Sequence, residues 1–587
     1  MHGYRLTWNV TERVQAYTHP LWMFLVSLFY FFTHEIYHTA IAVSLGLSLA
    51  AAALLAVGTR SRRAAAVAVI LLCLSNAYVD YSTSGLENPL THLLLVAFLL
   101  LYFGQPSSSG KLFRLSLVAS LAAVNRLDTF LLYAPALLVE WLRTPDKKKA
   151  LLLAAVGQAP LVLWEAFSVF YYGFPFPNTA YAKLNNGIAA RELARQGGYY
   201  FLNSLQRDPL TLAAIAVGCV AALAGRPRRG WPLALGILLY LAYVLKIGGD
   251  FMSGRFFTAP LLVAVALIGQ LDFRRLRPPA LALVFVAALG LGLAAPVPVF
   301  RLIDEQVAKV DAHGIADERM WYFQDMALAN AAGKEMPTIL GRYGGEKARA
   351  DSQQDFQVVV LKNTGVYGYY AGPQVFIIDY LALSDPLLAR LPAIYTVNWR
   401  IGHFSRVVPE GYISTVYANA DLLKDPGLAA YYDQLALITR GPLFSKERWV
   451  AIWKMNTGQY DHLIPNDPYR YPEMVSKTLA QVAPDAAKIV QAEFQDSGVQ
   501  IELPALAHAG RLRVALDSDS DFEIVYLNGE TQVAAQSVSA TSSKELLSVT
   551  EWNPPESAVQ AGYDRIHILP RSGDDPYHLG FLELEGE

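Results

Sequence analysis

Clusters of arginine and lysine interrupt the apolar first half of this chain at every second connection between hydrophobic runs, and this alternation constrains its fold more than any other feature. The runs lie near residues 37–57, 64–79, 88–104, 114–126, 129–142, 150–171, 209–225, 231–248, 258–271 and 279–301. A helix crosses a bilayer core in about 20 apolar residues, fewer where neighbouring helices shelter its ends. The basic clusters are Arg60, Arg62 and Arg63; Lys111 and Arg114; Arg143 with Lys147 to Lys149; Arg226, Arg228 and Arg229; and Arg274, Arg275 and Arg277. Because positive charge accumulates in cytoplasmic loops, one parity fits all five. It puts the connections near 76–90, 125–128, 171–208 and 247–257, and everything after 301, on the outer face. The expectation is a polytopic α-helical membrane domain of about ten helices over 37–301.

Composition agrees. Of 587 residues, 53% are hydrophobic, and the mean hydropathy of +0.27 is high for a water-soluble chain of this size. A net charge of -2 without long basic tracts excludes nucleic acid as a partner, since phosphate-backbone binding needs concentrated Lys and Arg. The two cysteines, Cys73 and Cys219, lie far apart in apolar runs and offer neither a disulfide framework nor a thiolate metal site.

The same parity requires residues 1–36 to start on the outer face, with Leu21 to Phe32 as a helix lying in the interface. No charged and apolar leader precedes them, so a membrane helix upstream of Met1 is expected. The alternative is that Leu21 to Phe32 itself crosses and one later segment is re-entrant. Trp22, Tyr30 and Phe31 read as an interfacial aromatic belt. After the helices, residues 302–489 mix a helical pattern (Asp304 to Asn330) with the short apolar runs Gln357 to Leu361 and Gln374 to Asp379, as in a small α/β domain. From 490 to 587, alternating runs such as VQIELPAL, RLRVALD, FEIVYLN, RIHILP and LGFLELE predict an antiparallel β-sandwich. There Ser537 to Ser543 reads as a polar loop, and Trp552, Tyr563 and Tyr577 are candidates for stacking on sugar.

The predicted outer loops gather chemistry. NAYVDYSTSGLENPL carries Asp80 and Glu87; NRLD carries Arg126 and Asp128; PFPNTAYAKL carries Asn178, Tyr181 and Lys183; IGGDFMSGRFF carries Asp250 and Arg255 on a glycine-rich turn. Ionisable groups at such depth face a cavity or one another. Carboxylates beside aromatic rings suit sugar hydroxyls and ring faces, while Arg and Lys suit a phosphate. Each has a plainer reading: Arg126 and Asp128 as a structural pair, Glu87 as a helix-terminal carboxylate, Asp250 as a cap. His34 and His38 share a helical spacing but find no third ligand at metal spacing.

At these loops the chain resembles a known family. The string GYRLTWNVTERVQAYTHPLW, followed in order by SGLENPL, NRLD, PFPNTAYAK, GGDFMSGRFF, IDYLALSDP and NWRIGHFSRVVPEGY, is similar to the polyprenyl-phosphate-dependent glycosyltransferases of the GT-C fold. The mycobacterial terminal arabinofuranosyltransferase group is the nearest. The resemblance covers most of residues 3–412. It implies a multi-pass enzyme of the bacterial plasma membrane, its C-terminal half on the periplasmic side. Such an enzyme moves a sugar, D-arabinofuranose first among candidates, from a polyprenyl-phosphate donor to a cell-envelope glycan or glycoprotein acceptor. It also implies an acidic pair just after the first membrane helix, which would lie upstream of Met1.

Within this chain the expected catalytic carboxylates are Glu12 and Glu87. Arg255, Lys183 and Arg126 are expected at the donor phosphate, and Asn9, Tyr17, Asp80, Asp250, Asn178 and Tyr181 at sugar and acceptor. No metal ligands are assigned, and a divalent cofactor stays open. The competing readings are a transporter or flippase of a lipid-linked sugar, which would need matched broken helices in two halves, and a catalytically inactive paralogue.

Overall fold

The computed structural model describes residues 4–104, 106–184, 186, 188–301, 307, 309–353, 355–362, 364–393, 400–464, 476–478, 492–494, 498–517, 520–539, 547–571 and 577–586. It is mostly helical, with a β-rich C-terminal region. The chain divides into two compact units. One comprises Met1–Leu391, Arg400–His403 and Val408–Pro465; the other comprises Pro392–Trp399, Phe404–Val407 and Asn466–Glu587.

The first unit opens with α1 (Pro20–Thr33), α2 (Ile36–Val57), α3 (Arg62–Leu74), α4 (Asn76–Asp80), α5 (Asn88–Gly104), α6 (Ser109–Asn125), α7 (Phe130–Arg143), α8 (Lys147–Gly157) and α9 (Ala159–Tyr172). It continues with α10 (Asn178–Leu184), α11 (Ala190–Arg207), α12 (Pro209–Leu223), α13 (Trp231–Lys246), α14 (Thr258–Gly269) and α15 (Pro278–Leu293). Small polar residues start several of them by taking an orphan amide: Ser61 accepts from Ala64, Ser108 from Lys111, Asp146 from Lys149 and Asp208 from Thr211. Helix α14 is buried along its whole length, apolar all round as a central helix must be, and packs against α3, α5 and α12.

Every predicted apolar run falls on helix, the last only as far as Leu293, but few are long. Among the described residues, Ile36–Val57 is the one single helix long and apolar enough to cross a membrane. Two bent pairs could do so as broken spans: α8 with α9, at 46°, and α11 with α12, at 107°. The apolar helices Pro20–Thr33, Asn88–Gly104, Trp231–Lys246 and Pro278–Leu293 are shorter. The run at 64–79 breaks at Ser75, and 150–171 breaks between Gly157 and Ala159. The 171–208 connection is not an open loop, because it holds α10 and α11. Gly197 and Gly198 argue against a helix there on propensity. Yet a Cβ at Gly197 would sit 2.3 Å from the Leu245 carbonyl oxygen, so the glycine permits a close crossing with α13. Two further sequence readings change: Trp22 is buried and donates to the Gly85 carbonyl at 2.9 Å instead of joining an exposed belt, and Lys111 is wholly buried against Glu140 at 3.2 Å, so it is not a loop charge.

The rest of this unit is α/β. It contains α16 (Glu318–Met326), α17 (Leu340–Asp351), α18 (Thr364–Ala371), α19 (Tyr412–Ala418), α20 (Pro426–Arg440) and α21 (Lys446–Asn456). Strands β1 (Gln357–Leu361) and β2 (Val375–Asp379) pair in parallel. The helical pattern expected from Asp304 begins only at Glu318; residues 302–306 and 308 lie outside the described residues, and 315–317 run extended beside the 251–253 segment.

The second unit has one sheet ordered β3 (Ser476–Thr478), β5 (Val499–Ala507), β10 (Tyr563–Pro570), β7 (Asp521–Asn528), β8 (Thr531–Ser539), and another ordered β4 (Ala492–Phe494), β11 (Tyr577–Glu585), β6 (Arg511–Asp517), β9 (Leu547–Trp552). Inward residues of both sheets share one core, the sandwich that the alternation predicts. Its pairings are antiparallel except β3 with β5. Ser537 to Ser539 belong to β8, whereas 540–543 lie outside the described residues. Tyr563 and Tyr577 are core residues, 0% and 1% exposed, so neither presents a ring face to a sugar.

Candidate functional site

Four loops of the first unit close around Glu87. The carboxylate sits just before α5 and is 1% exposed. Arg255 Nη2 donates to both of its oxygens, at 3.0 and 3.1 Å, and Arg126 Nη1 to one at 2.9 Å. Each arginine holds a second carboxylate: Arg126 grips Asp128 at 2.8 and 3.0 Å, and Arg255 Nη1 reaches Asp250 at 3.4 Å. Tyr240 donates to Asp128 at 3.2 Å, and His19 Nδ1 lies 3.8 Å from Glu87. Burial alone would raise the Glu87 pKa, but Arg255, Arg126 and His19 together hold it well below the usual carboxylate range. Both arginines keep an edge open, their side chains 14% and 13% exposed.

Backbone geometry sets this loop. Gly248, Gly249 and Gly254 all have positive φ, of 88°, 75° and 75°, a region that side chains with a Cβ resist. At Gly249 a Cβ would also meet the Tyr200 ring at 2.5 Å. Gly249→Ala is therefore expected to cost roughly 2 to 5 kcal/mol from backbone strain and overpacking, read as a lowered midpoint in thermal unfolding of the purified protein.

Beside the knot, Phe251 collects cations. Arg400 lies 4.9 Å and Lys183 6.0 Å from its ring centre, and His403 packs edge-on at 4.2 Å. Lys183 Nζ makes no hydrogen bond or ion pair among the described residues, and it sits near Gly402, where a Cβ would be 3.2 Å away. Burial lowers its pKa, against the pull of Asp250. The extended 315–317 segment hydrogen-bonds to Phe251 and Ser253 and so delivers Glu318 to the same place. Glu318 is held only loosely, with Arg400 at 3.9 Å, and burial pushes it up to about 7 although Arg400 works against this. Glu318, Arg400 and His403 escaped sequence reasoning as individual residues. Arg400 and His403 lie inside the quoted string NWRIGHF, but nothing in the local pattern marks Glu318.

The remaining expected residues fall elsewhere. Asn9 spends its amide on β2, donating to the Ile377 carbonyl at 3.1 Å and accepting from its N–H at 3.0 Å. Glu12 is 3% exposed and pairs with Arg440 at 3.4 Å and Asn9 at 3.3 Å. Burial raises its pKa against Arg440. Tyr17 shares a 2.7 Å hydroxyl contact with Tyr172. Asn178 donates to the carbonyls of Ala382, Leu383 and Asp385 and lines a small cleft with Tyr181, Arg13 and Arg390. Asp80 turns to Arg319 at 3.4 Å, its carboxyl pushed up to about 7 by burial. The structure thus brings Glu87, Arg126, Asp250, Arg255 and Lys183 together and places Asn9, Glu12, Tyr17, Asn178, Tyr181 and Asp80 in neighbourhoods of their own. Among the described residues no three His, Cys, Asp or Glu side chains gather as metal ligands.

Comparison with known proteins adds one relative to this geometry. Over 437 residues the chain is 26% identical to the terminal beta-(1->2)-arabinofuranosyltransferase of Mycobacterium tuberculosis (strain ATCC 25618 / H37Rv), covering 60% of this chain and 68% of that one. The chain resembles the mycobacterial terminal arabinofuranosyltransferases. No family model matches it, and no solved structure does.

Proposed function

We propose that this protein is a polytopic membrane glycosyltransferase. It moves a sugar, D-arabinofuranose on the strength of its relative's name, from a polyprenyl-phosphate donor to a cell-envelope glycan or glycoprotein. Its site faces outward from the bacterial plasma membrane. The observation that carries this reading is the cleft itself: a fixed carboxylate–guanidinium knot with open cationic edges, a lysine over the Phe251 ring whose ammonium makes no hydrogen bond or ion pair among the described residues, and a loosely held carboxylate of raised pKa. These are the groups that sugar transfer from a phosphate requires.

In the reaction, an acceptor hydroxyl attacks C1 of the sugar, the C1–O bond to phosphate breaks, and the phosphate leaves with the bonding electrons. Lys183 and Arg400 neutralise that departing charge, with the exposed edges of Arg255 and Arg126 in support. Glu87 has both oxygens committed to arginines and is strongly ionised, which makes it a poor proton acceptor and a good anchor for those guanidinium groups. Glu318 takes the hydroxyl proton. Asp250 fixes Arg255 and borders the sugar.

The test is transfer of radiolabelled arabinofuranose from decaprenyl phosphate to a synthetic arabinan by the purified protein. Lys183→Ala is expected to raise the donor KM at least tenfold; absence of transfer by the wild type under any acceptor would overturn the reading. The pH profile follows from Glu318. A base must be deprotonated, so kcat/KM should fall about tenfold per pH unit below about 7 and level off above it. Glu318→Gln should remove that limb along with most of the activity, and an unchanged limb in this variant would assign the base elsewhere.

A further inference from the structure

An exposed aromatic face lies on α21, remote in sequence from every loop of the cleft. Phe444, just before the helix, is 84% exposed, and Trp449, Val450 and Trp453 on its outer side are 39%, 43% and 68% exposed. The opposite side, Arg448, Ala451, Ile452 and Met455, is buried. Large apolar side chains grouped this way on a helix mark an interaction surface, and tryptophan in particular favours the boundary between lipid tails and water.

What lies next to this face identifies its partner. Arg448, wholly buried, donates to the carbonyls of Phe170 at 2.9 Å and Tyr171 at 3.0 Å. These are carbonyls that the last turn of α9 leaves without helical partners. Asn456 donates to the Gly173 carbonyl at 2.8 Å, and Phe170 packs against Phe444 at 5.4 Å and Trp449 at 6.3 Å. Helix α21 is therefore bolted across the end of α9. The α8–α9 pair is one of the bent segments long and apolar enough to cross a membrane, and Leu151, Leu152, Val156, Val162 and Leu163 along it are 52–68% exposed. The aromatic face of α21 meets the last turn of this pair at Phe170.

We propose that the outer side of α21, with Phe444, Trp449, Val450 and Trp453, lies in the headgroup and upper acyl region of the bilayer and fixes the α/β region at a set height on the membrane. This does not depend on the transferase reading. The test places a cysteine at Trp453, and in a second protein at the exposed Thr531 of the sandwich, in a Cys73→Ala, Cys219→Ala background. Each is labelled with an environment-sensitive fluorophore and reconstituted in phosphatidylethanolamine–phosphatidylglycerol nanodiscs. Lipids spin-labelled at acyl carbon 5 should quench the 453 label at least twofold and more than those labelled at carbon 12, while iodide barely reaches it; the 531 label should show the reverse. A 453 label quenched by iodide like the one at 531 would overturn the proposal. So would a label shielded from both quenchers, which would mean a protein partner or a second copy covers the face.

Discussion

Replacing Glu87 by glutamine will lower kcat at least a hundredfold and destabilise the fold. Among the described residues the carboxylate is the one acidic group shared by Arg126 and Arg255. An amide is neutral, and its NH2 would face a guanidinium donor. Arg126 would keep Asp128, and Arg255 would keep Asp250 only at 3.4 Å. Removing one partner of a buried ion pair costs about 3–5 kcal/mol, and a guanidinium freed to move by an ångström no longer meets the leaving phosphate where charge develops. Glu87→Asp restores the charge at a shorter reach and should recover part of kcat while leaving KM for the acceptor unchanged. Transfer assays on folded protein, checked by thermal unfolding, decide this. A Glu87→Gln enzyme with normal kcat would remove the knot from the mechanism.

A comparable effect on stability belongs to a pair outside the cleft. Lys111 and Glu140 are both 0% exposed, 3.2 Å apart, and the ammonium also donates to the Tyr102 carbonyl at 2.8 Å. Lys111→Ala removes the buried partner of this carboxylate and should cost about 3–5 kcal/mol, whereas Lys111→Met with Glu140→Leu should be neutral or gain about 1–4 kcal/mol. Unfolding midpoints of the purified variants in one detergent check the order; a double variant as weak as the single one would show that shape, not charge, governs this site.

Much of this was legible in the sequence, for identifiable reasons. Glu87, Arg126, Asp250, Arg255 and Lys183 stood out because charged groups between apolar runs have few places to go except towards one another. The sandwich strands declared themselves through strict alternation, and β1 and β2 through short apolar runs. Legibility failed where a long-range partner decides the role. Asn9 looks like a binding amide until β2 claims it across 368 residues. Tyr577 looks like a sugar platform until the facing sheet covers it, with Phe522 of β7 against its ring. Lys111 looks like a loop charge until it proves to sit inside α6, paired with Glu140. Glu318 was invisible because its position depends on an extended segment docking beside Phe251, which no local periodicity encodes.

The strap formed by Asn9, Glu12 and Arg13 has a consequence for how the chain is made. It leaves the ribosome long before its partners: Glu12 waits for Arg440, 428 positions later, and Arg13 for the Thr439 and Gly441 carbonyls. At about 5–20 residues per second that is a delay of roughly 20 to 90 seconds. During it the early segment stands outside its final setting while the helices assemble. The α/β region cannot lock until its own last helices are synthesised, so the closing step in biogenesis joins an early segment to helices made much later.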